Sequence, residues 1–333
     1  MTSKIIWKNL QEEEKINHNE LWGESSTQKD PIISVPYNVM MPKYYSPVAD
    51  RILNFEVRAD DIWIVTYPKC GTTWTQEIVW HIMNDVNKEL GKIPLFVRSP
   101  FLEFQGIQGP ENSPAALFQK EGKQAEMMKK IFEESIDMAA NLPSPRIIKS
   151  HLPFELLPKN LLDTAKVVYV CRNPKDTCVS YFHHINDTFG MNYQFKGSFD
   201  QFTKCFMDGK LEYGSYFDHL KSGWKRRNHP NMKFIWYENM RRNTLKEVSD
   251  LAIFLNHPLS YVKVEELNEH LKFSNMKERA TKESTDANKT MGKFFRKGEI
   301  GDWKNHFKGE KLSNWDTWIA KNLDGSDIKF NFE

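Results

Sequence analysis

Cysteine is scarce: four residues in 333, at Cys70, Cys171, Cys178 and Cys205, with no Cys-x-x-Cys pair and no zinc-ligand spacing. That pattern describes neither a disulfide framework nor a zinc module, and a reducing, cytoplasmic setting is expected. No run of about 18 apolar residues exists, so no membrane span is expected. Met1-Thr2-Ser3-Lys4, followed by Gln11-Glu12-Glu13-Glu14-Lys15, lacks the apolar heart of a signal peptide. The sequons at Asn186 and Asn288 should therefore stay unmodified. An excess of one charge is missing too. The formal net charge is +2, which argues against nucleic acid as the main partner, so any anion site must draw on locally clustered charge. No internal repeat, nucleophile elbow or Ser-His-Asp order is found, and no acidic set stands ready to hold a metal; none is expected.

What is present is ordinary in bulk. Apolar residues make up 40% and charged residues 27%, and the length suits one large α/β domain or two small ones. Ten Trp and 22 Phe exceed the usual need of such a core. They could line a pocket or simply fill an aromatic-rich interior.

The most informative stretch is Ile62-Trp63-Ile64-Val65-Thr66-Tyr67-Pro68-Lys69-Cys70-Gly71-Thr72-Thr73-Trp74. A β-branched and aromatic run meets Pro-Lys-Cys-Gly and then opens into a helical period. Trp74, Ile78, Val79, Ile82, Met83 and Val86 share one face, with Gly91 and Pro94 as the expected stop. Strand, tight loop and helix in that order aim backbone N–H groups and a helix dipole at one point. Lys69, Thr72 and Thr73 add a cation and two hydroxyls. The loop reads as an anion cradle, related to the nucleotide-triphosphatase loop but with its Lys before the only Gly. An ordinary strand–helix connection is the duller alternative.

Further apolar runs end in reactive residues: Arg146-Ile147-Ile148-Lys149-Ser150-His151, Lys166-Val167-Val168-Tyr169-Val170-Cys171 before Arg172, and Lys233-Phe234-Ile235-Trp236-Tyr237. Asn173-Pro174-Lys175-Asp176 signals a helix start, and Thr244-Leu245-Lys246-Glu247 a capping box. Strands alternating with helices imply one α/β domain with a central, mostly parallel sheet flanked by helices. It should span residues 36–333 behind a loose polar arm, residues 1–35. Ligands of such sheets bind beyond the carboxyl ends of the strands. There Lys69, Lys149, Arg172, Arg296 and Lys297 would suit a ligand with several phosphate-like groups, and His151 is the one imidazole at a strand end, a natural general base. A surface lysine at 149 and a structural histidine at 151 are the bland alternatives. Arg226-Arg227 and Arg241-Arg242 read as solvated faces.

Tyr67-Pro68-Lys69-Cys70-Gly71-Thr72-Thr73-Trp74, Lys149-Ser150-His151-Leu152-Pro153, Arg172-Asn173-Pro174-Lys175-Asp176 with Ser180, Tyr237-Glu238-Asn239-Met240, and Arg296-Lys297-Gly298 with Gly301-Asp302-Trp303 resemble, in order and spacing, the cytosolic sulfotransferases. The resemblance spans roughly residues 35–325. It implies a sulfuryl transfer from 3′-phosphoadenosine 5′-phosphosulfate (PAPS, leaving PAP) to a hydroxyl or amine of a small apolar acceptor such as a phenol, steroid or retinoid. It also implies that Lys69, Cys70, Gly71, Thr72, Thr73 and Trp74 form the phosphosulfate loop, with Trp74 on adenine. Arg172, Ser180, Arg296, Lys297 and Gly298 would take the 3′-phosphate, beside Phe294 and Phe295, with Tyr237, Phe273 and Met276 near adenine. His151 would be the base, Lys69 and Lys149 would stabilise the breaking bond, and Phe101, Phe104, His151 and His184 would line the acceptor.

Three departures stand out. Cys70 replaces a commoner Ser, His184 replaces an aromatic residue, and Lys304-Asn305-His306-Phe307-Lys308-Gly309-Glu310 departs from the family's dimerisation segment, so a monomer or a dimer of another kind is expected. Related insect proteins include a retinol dehydratase, which leaves elimination through a sulfated intermediate open. A small-molecule kinase using the same loop and a catalytically silent PAP-binding relative are the competing readings. Residues 277–293 are nearly devoid of apolar anchors and read as a mobile lid. Cys70, beside Lys69 at a helix N-terminus, is expected to be an oxidant-sensitive thiol.

Overall fold

A parallel sheet of four strands in the order β5-β4-β6-β7 forms the centre of the computed structural model, which describes residues 5–108, 126, 130–131, 133–187, 193–282 and 296–333 (Asp187 and residues 280–282 by backbone alone). The strands are β4 (Ile62–Thr66), β5 (Ile147–Ser150), β6 (Lys166–Cys171) and β7 (Met232–Trp236). Ile62 stands opposite Ile147 on one side and Lys166 on the other, and Cys171 opposite Trp236, so the strand ends come level at one edge.

All five side chains of β4 are buried, which explains why its sequence is a continuous apolar run rather than an alternation. Successive residues still feed opposite faces. Trp63 and Val65 pack with Ile148, Val167 and Tyr169 in one core, whereas Ile62 and Ile64 pack with Ile147, Val168 and Ile235 in the other. The first core holds Tyr67, Tyr181, Phe202, Phe206, Phe217 and Trp315, so much of the aromatic surplus is interior filling. At the amino end of the sheet Arg146 pairs with Asp61, both wholly buried. Losing either partner alone would strand a charge, at a cost of about 3–5 kcal/mol.

Residues 5–50 are better ordered than the expected loose arm. Three antiparallel strands, β1 (Ile6–Asn9), β2 (Ile32–Val35) and β3 (Met40–Met41), form a second sheet, with α1 (Glu12–Glu20) and α2 (Ser46–Leu53) beside it. Residue 35 lies inside the β2–β3 hairpin, so the anticipated boundary is no boundary in space. Trp22 is buried in the first core, and Gly23 donates to the Gln194 carbonyl at 2.8 Å.

Two helix ends also differ from expectation. α3 (Thr72–Met83) stops well before Gly91. The Asn84 side chain donates to the Trp80 carbonyl, the Val86 N–H closes back on His81 at 2.8 Å, and Asp85 and Val86 both take positive φ. The Thr244–Phe254 helix is capped one residue earlier than the sequence suggests. Asn243 accepts from the Lys246 N–H, while the Thr244 hydroxyl donates back to Met240. Of the anticipated lid, residues 277–282 belong to the helix Phe273–Lys282, and 283–293 lie outside the described residues, as do Phe294, Phe295 and Asn288.

Candidate active site

The loop after β4 is shaped by two left-handed residues, Lys69 at φ 68° and Gly71 at φ 102°. Gly71 is required twice over: by that conformation, and because a Cβ there would meet the Tyr237 ring at 2.6 Å. As the residue before α3 it offers no capping side chain to the first amides of the helix. Thr72 folds back, its hydroxyl 2.6 Å from that of Thr66.

Cys70 does not have the reactive setting expected of it. It is 1% exposed, with its sulfur between the Pro68 carbonyl and the Thr177 hydroxyl, and burial pushes its thiol up to about 12. Desolvation outweighs the nearby cations. Its backbone shapes the loop, while its side chain belongs to the core.

At the end of β5, His151 is almost enclosed. Its Nδ1 lies 2.8 Å from the Thr66 carbonyl and 3.1 Å from the Thr66 hydroxyl. A carbonyl only accepts, so Nδ1 carries the hydrogen and Nε2 is left as the basic nitrogen. Burial, then the charge of Lys149, holds the imidazole neutral, well below the usual histidine range. The ring meets Phe101 edge-on at 5.1 Å, and Phe101 stacks with Phe104 at 5.4 Å. The Lys149 ammonium sits 3.6 Å from the centre of the Phe101 ring. Thus His151, Lys149, Phe101 and Phe104 come together. His184 lies between Tyr181 and Tyr193, kept neutral by burial and by the fields of Lys69 and Lys149.

Lys69 shows where positive charge converges. Burial, followed by the fields of Lys149, Arg172 and Arg296, brings its ammonium down to about 7. Arg172 lies over the Tyr237 ring at 4.6 Å and donates to the Glu299 carbonyl at 2.9 Å, and its buried Nε has no partner among the described residues. The Tyr237 hydroxyl approaches the Gly298 carbonyl at 3.4 Å, and Gly298, at φ 67°, lies under the Phe273 ring. Trp74 meets Tyr237 edge-on at 6.0 Å, and Arg241, expected to be solvated, lies over Trp74 at 5.4 Å. Ser180 is half-buried on the Pro174–Asp187 helix. Met276 is buried in the second core.

Several acids to which the sequence reading gave no role in the site hold this constellation. Asp302 binds Arg296 at 2.6 Å and Lys297 at 2.5 Å. Burial works to raise its carboxyl and is outweighed by hydrogen bonds from Lys297, Asn305 and Arg296, so it titrates well below the usual range. Asp176, read as a helix start and part of the Arg172–Asp176 motif but given no partner, accepts from the backbone of Gly301 at 2.8 Å and Trp303 at 3.0 Å. Glu238 accepts from the Asn173 backbone and side chain. Glu103 accepts from the His151 backbone. Among the described residues no cluster of His, Cys, Asp and Glu is arranged to hold a metal, and no helix is long and apolar enough to cross a membrane.

Known proteins match this arrangement. The sulfotransferase domain family matches residues 59–327. Sulfotransferase 1A1 of Mus musculus is 34% identical over 310 residues, 91% of this chain and 97% of its own. Sulfotransferase 1E1 of Bos taurus is 35% identical over 299 residues, 88% of this chain and 93% of its own. Among solved structures, a retinol dehydratase in complex with androsterone and inactive cofactor PAP superimposes with a TM-score of 0.86 at 29% identity, covering 99% of both chains. The strand-end cations, the glycine-bent loop after β4 and these matches agree, and the chain belongs to the sulfotransferase family.

Proposed function

We propose that this sulfotransferase carries the sulfuryl group of PAPS to the hydroxyl or amine of a small apolar acceptor, a phenol, steroid or retinoid, with His151 as the base. The observation that carries this reading is the fixed tautomer of His151. Nδ1–H is committed to the Thr66 carbonyl, and Nε2 stays neutral and basic beside two aromatic rings and an ammonium. The residues present fit the nucleotide: a lysine depressed by burial and by its cationic neighbours calls for an anion, and the buried Arg172 Nε has no partner among the described residues. Lys69, the amides from Gly71 to Trp74 and the Thr72 and Thr73 hydroxyls would hold the 5′ end, near Cys70. Arg172, Ser180, Arg296, Lys297 and Gly298 would hold the 3′-phosphate, and Trp74, Tyr237, Phe273 and Met276 would surround the base. When bound, PAPS supplies an activated sulfuryl group. His151 Nε2 takes the acceptor proton, and Lys69 and Lys149 neutralise charge that builds as the transfer proceeds.

Transfer of labelled sulfate from PAPS across a panel of phenols, steroids, retinoids and amines, with chelator present, tests the reading. Label in no acceptor, or transfer only from ATP with Mg²⁺, would overturn it. The close structural match to a retinol dehydratase favours one second outcome, loss of the newly formed sulfate to give an alkene. Product mass separates ester from alkene. Cytoplasmic residence and a monomer, or a dimer not built on Lys304–Glu310, complete the proposal; fractionation and light scattering check them.

Lys69 gives a pH signature. In the free protein it is half neutral near pH 7, and a bound anion must raise it. Binding of PAP therefore takes up a proton wherever the free lysine is neutral, and affinity falls as pH rises through about 7 toward the bound value. Calorimetry at about pH 8 in two buffers of different ionisation enthalpy should show net uptake near one proton. Equal heats in both buffers would remove this role.

A further inference from the structure

Glu103 is a charge in an unexpected place. It lies between Leu102 and Phe104 and is fully buried. The segment Pro100–Leu102 runs beside β5 as a short parallel bridge: Lys149 N–H donates to the Pro100 carbonyl and Leu102 N–H to the Lys149 carbonyl, both at 2.9 Å. One residue on, Glu103 Oε1 accepts the backbone N–H of His151 at 2.6 Å, while Oε2 has no partner among the described residues. The carboxyl thus ends a backbone zipper whose other side carries both proposed catalytic groups of β5. A carboxylate in a dry interior persists where hydrogen bonds, here from the His151 N–H and the Ser150 hydroxyl, and a cation together compensate it.

The charged and titratable groups around Lys149 can be named element by element. His151 lies on its own strand, Lys69 on the loop after β4, His184 on the Pro174–Asp187 helix and Glu212 beyond the Phe199–Met207 helix. Lys69 repels Lys149 and both imidazoles are neutral. Glu212 is buried and pushed up to about 8, with Oε2 held by the Tyr193 hydroxyl and the Gln28 amide. Glu103, which burial pushes up to about 7, acts on Lys149 more strongly than Glu212 does.

We infer that Glu103 is a positioning residue of the reaction: its buried carboxylate, at the end of the zipper along β5, fixes the His151 backbone and is the main counter-charge to Lys149. Burial pulls Lys149 down and pushes Glu103 up, and each charge restrains the shift of the other. The inference rests on the reading that Lys149 and His151 act on the reacting groups.

Glu103→Gln keeps an oxygen for the His151 N–H and removes the charge, so the pH profile of kcat separates the two roles. In the variant the alkaline limb should move down by about one unit, so the ratio of kcat at pH 6.5 to that at pH 8.5 rises about sixfold over the parent protein. In a Lys149→Gln background the same substitution should cost less than about twofold. An unmoved limb, or an equal loss in both backgrounds, reduces Glu103 to a backbone staple and overturns the inference. Full kcat in Lys149→Gln alone overturns the reading beneath it. Should Glu103→Gln fail to fold by circular dichroism, Glu103→Asp decides. It keeps the charge at shorter reach, so kcat should fall with the limb in place, and a shifted limb overturns the inference.

Discussion

His151→Ala should slow sulfuryl transfer by about 10²–10⁴-fold while PAP binds as before. Both parts follow from the site. The imidazole is anchored by Nδ1 to the Thr66 carbonyl and packed against Phe101 and Tyr213, on a strand end separate from Arg172 and the 296–298 turn that would hold the 3′-phosphate. Removing the ring deletes the proton acceptor and leaves those cations untouched. The loss should depend on the acceptor. A phenol, with a pKa of ~10, gives up its proton more readily than an alkanol, so alkanols should suffer more. Because burial and Lys149 keep the imidazole neutral well below the ordinary histidine range, activity should persist into mildly acid solution, where a solvated histidine would already be protonated. Near-normal kcat toward a simple phenol in the variant, at unchanged PAP affinity, would sink the assignment.

Lys69→Met should lower kcat and nucleotide affinity together, whereas Arg172→Ala should lower mainly affinity, by about 10–100-fold for a charge-assisted contact. Only interactions that strengthen in the transition state raise kcat. Lys69 sits on the loop where four cations converge, while Arg172 is occupied on one side by Tyr237 and Glu299. The lysine replacement should not weaken the ligand-free fold. Burial and three like charges already depress that ammonium, so a neutral side chain of similar length removes a repulsion. Titration with PAP, steady-state kinetics and thermal unfolding of both variants check the pattern. An identical division between KM and kcat in the two would refute it.

The parts of this molecule that were legible in sequence are those whose partners are close along the chain or whose burial is two-sided. β4 and β6 announce themselves as unbroken apolar runs because both faces are covered, and the Asn173–Pro174–Asp176 start is written in adjacent residues, with Asp176 N–H donating to Asn173 Oδ1 at 2.9 Å. The end of each run then pointed to Lys69, His151 and Arg172. What was illegible depends on distance or on backbone. β1 is mostly exposed and β3 has two residues, so neither leaves a periodic trace. The partner of Glu103 is 48 residues away, and a lone acid between apolar neighbours looks like a surface residue. The Thr66 carbonyl that sets the His151 tautomer has no side-chain signature at all. The Cys70 setting misled because helix dipole and neighbouring cation are visible in sequence, whereas the burial that outweighs them is not.

The fastening of Asp176 to Gly301 and Trp303, and of Arg172 to Glu299, spans 125 to 127 residues of chain. For a polypeptide leaving the ribosome this sets an order of events. The parallel sheet has all its strands once Trp236 has emerged, and its local packing can proceed from there. The turn that carries Arg296 and Lys297, with the Asp302 that grips them, is translated at least sixty residues later, and its docking must await them. During synthesis this protein therefore exists first as a sheet without the turn proposed to grip the 3′-phosphate of its nucleotide.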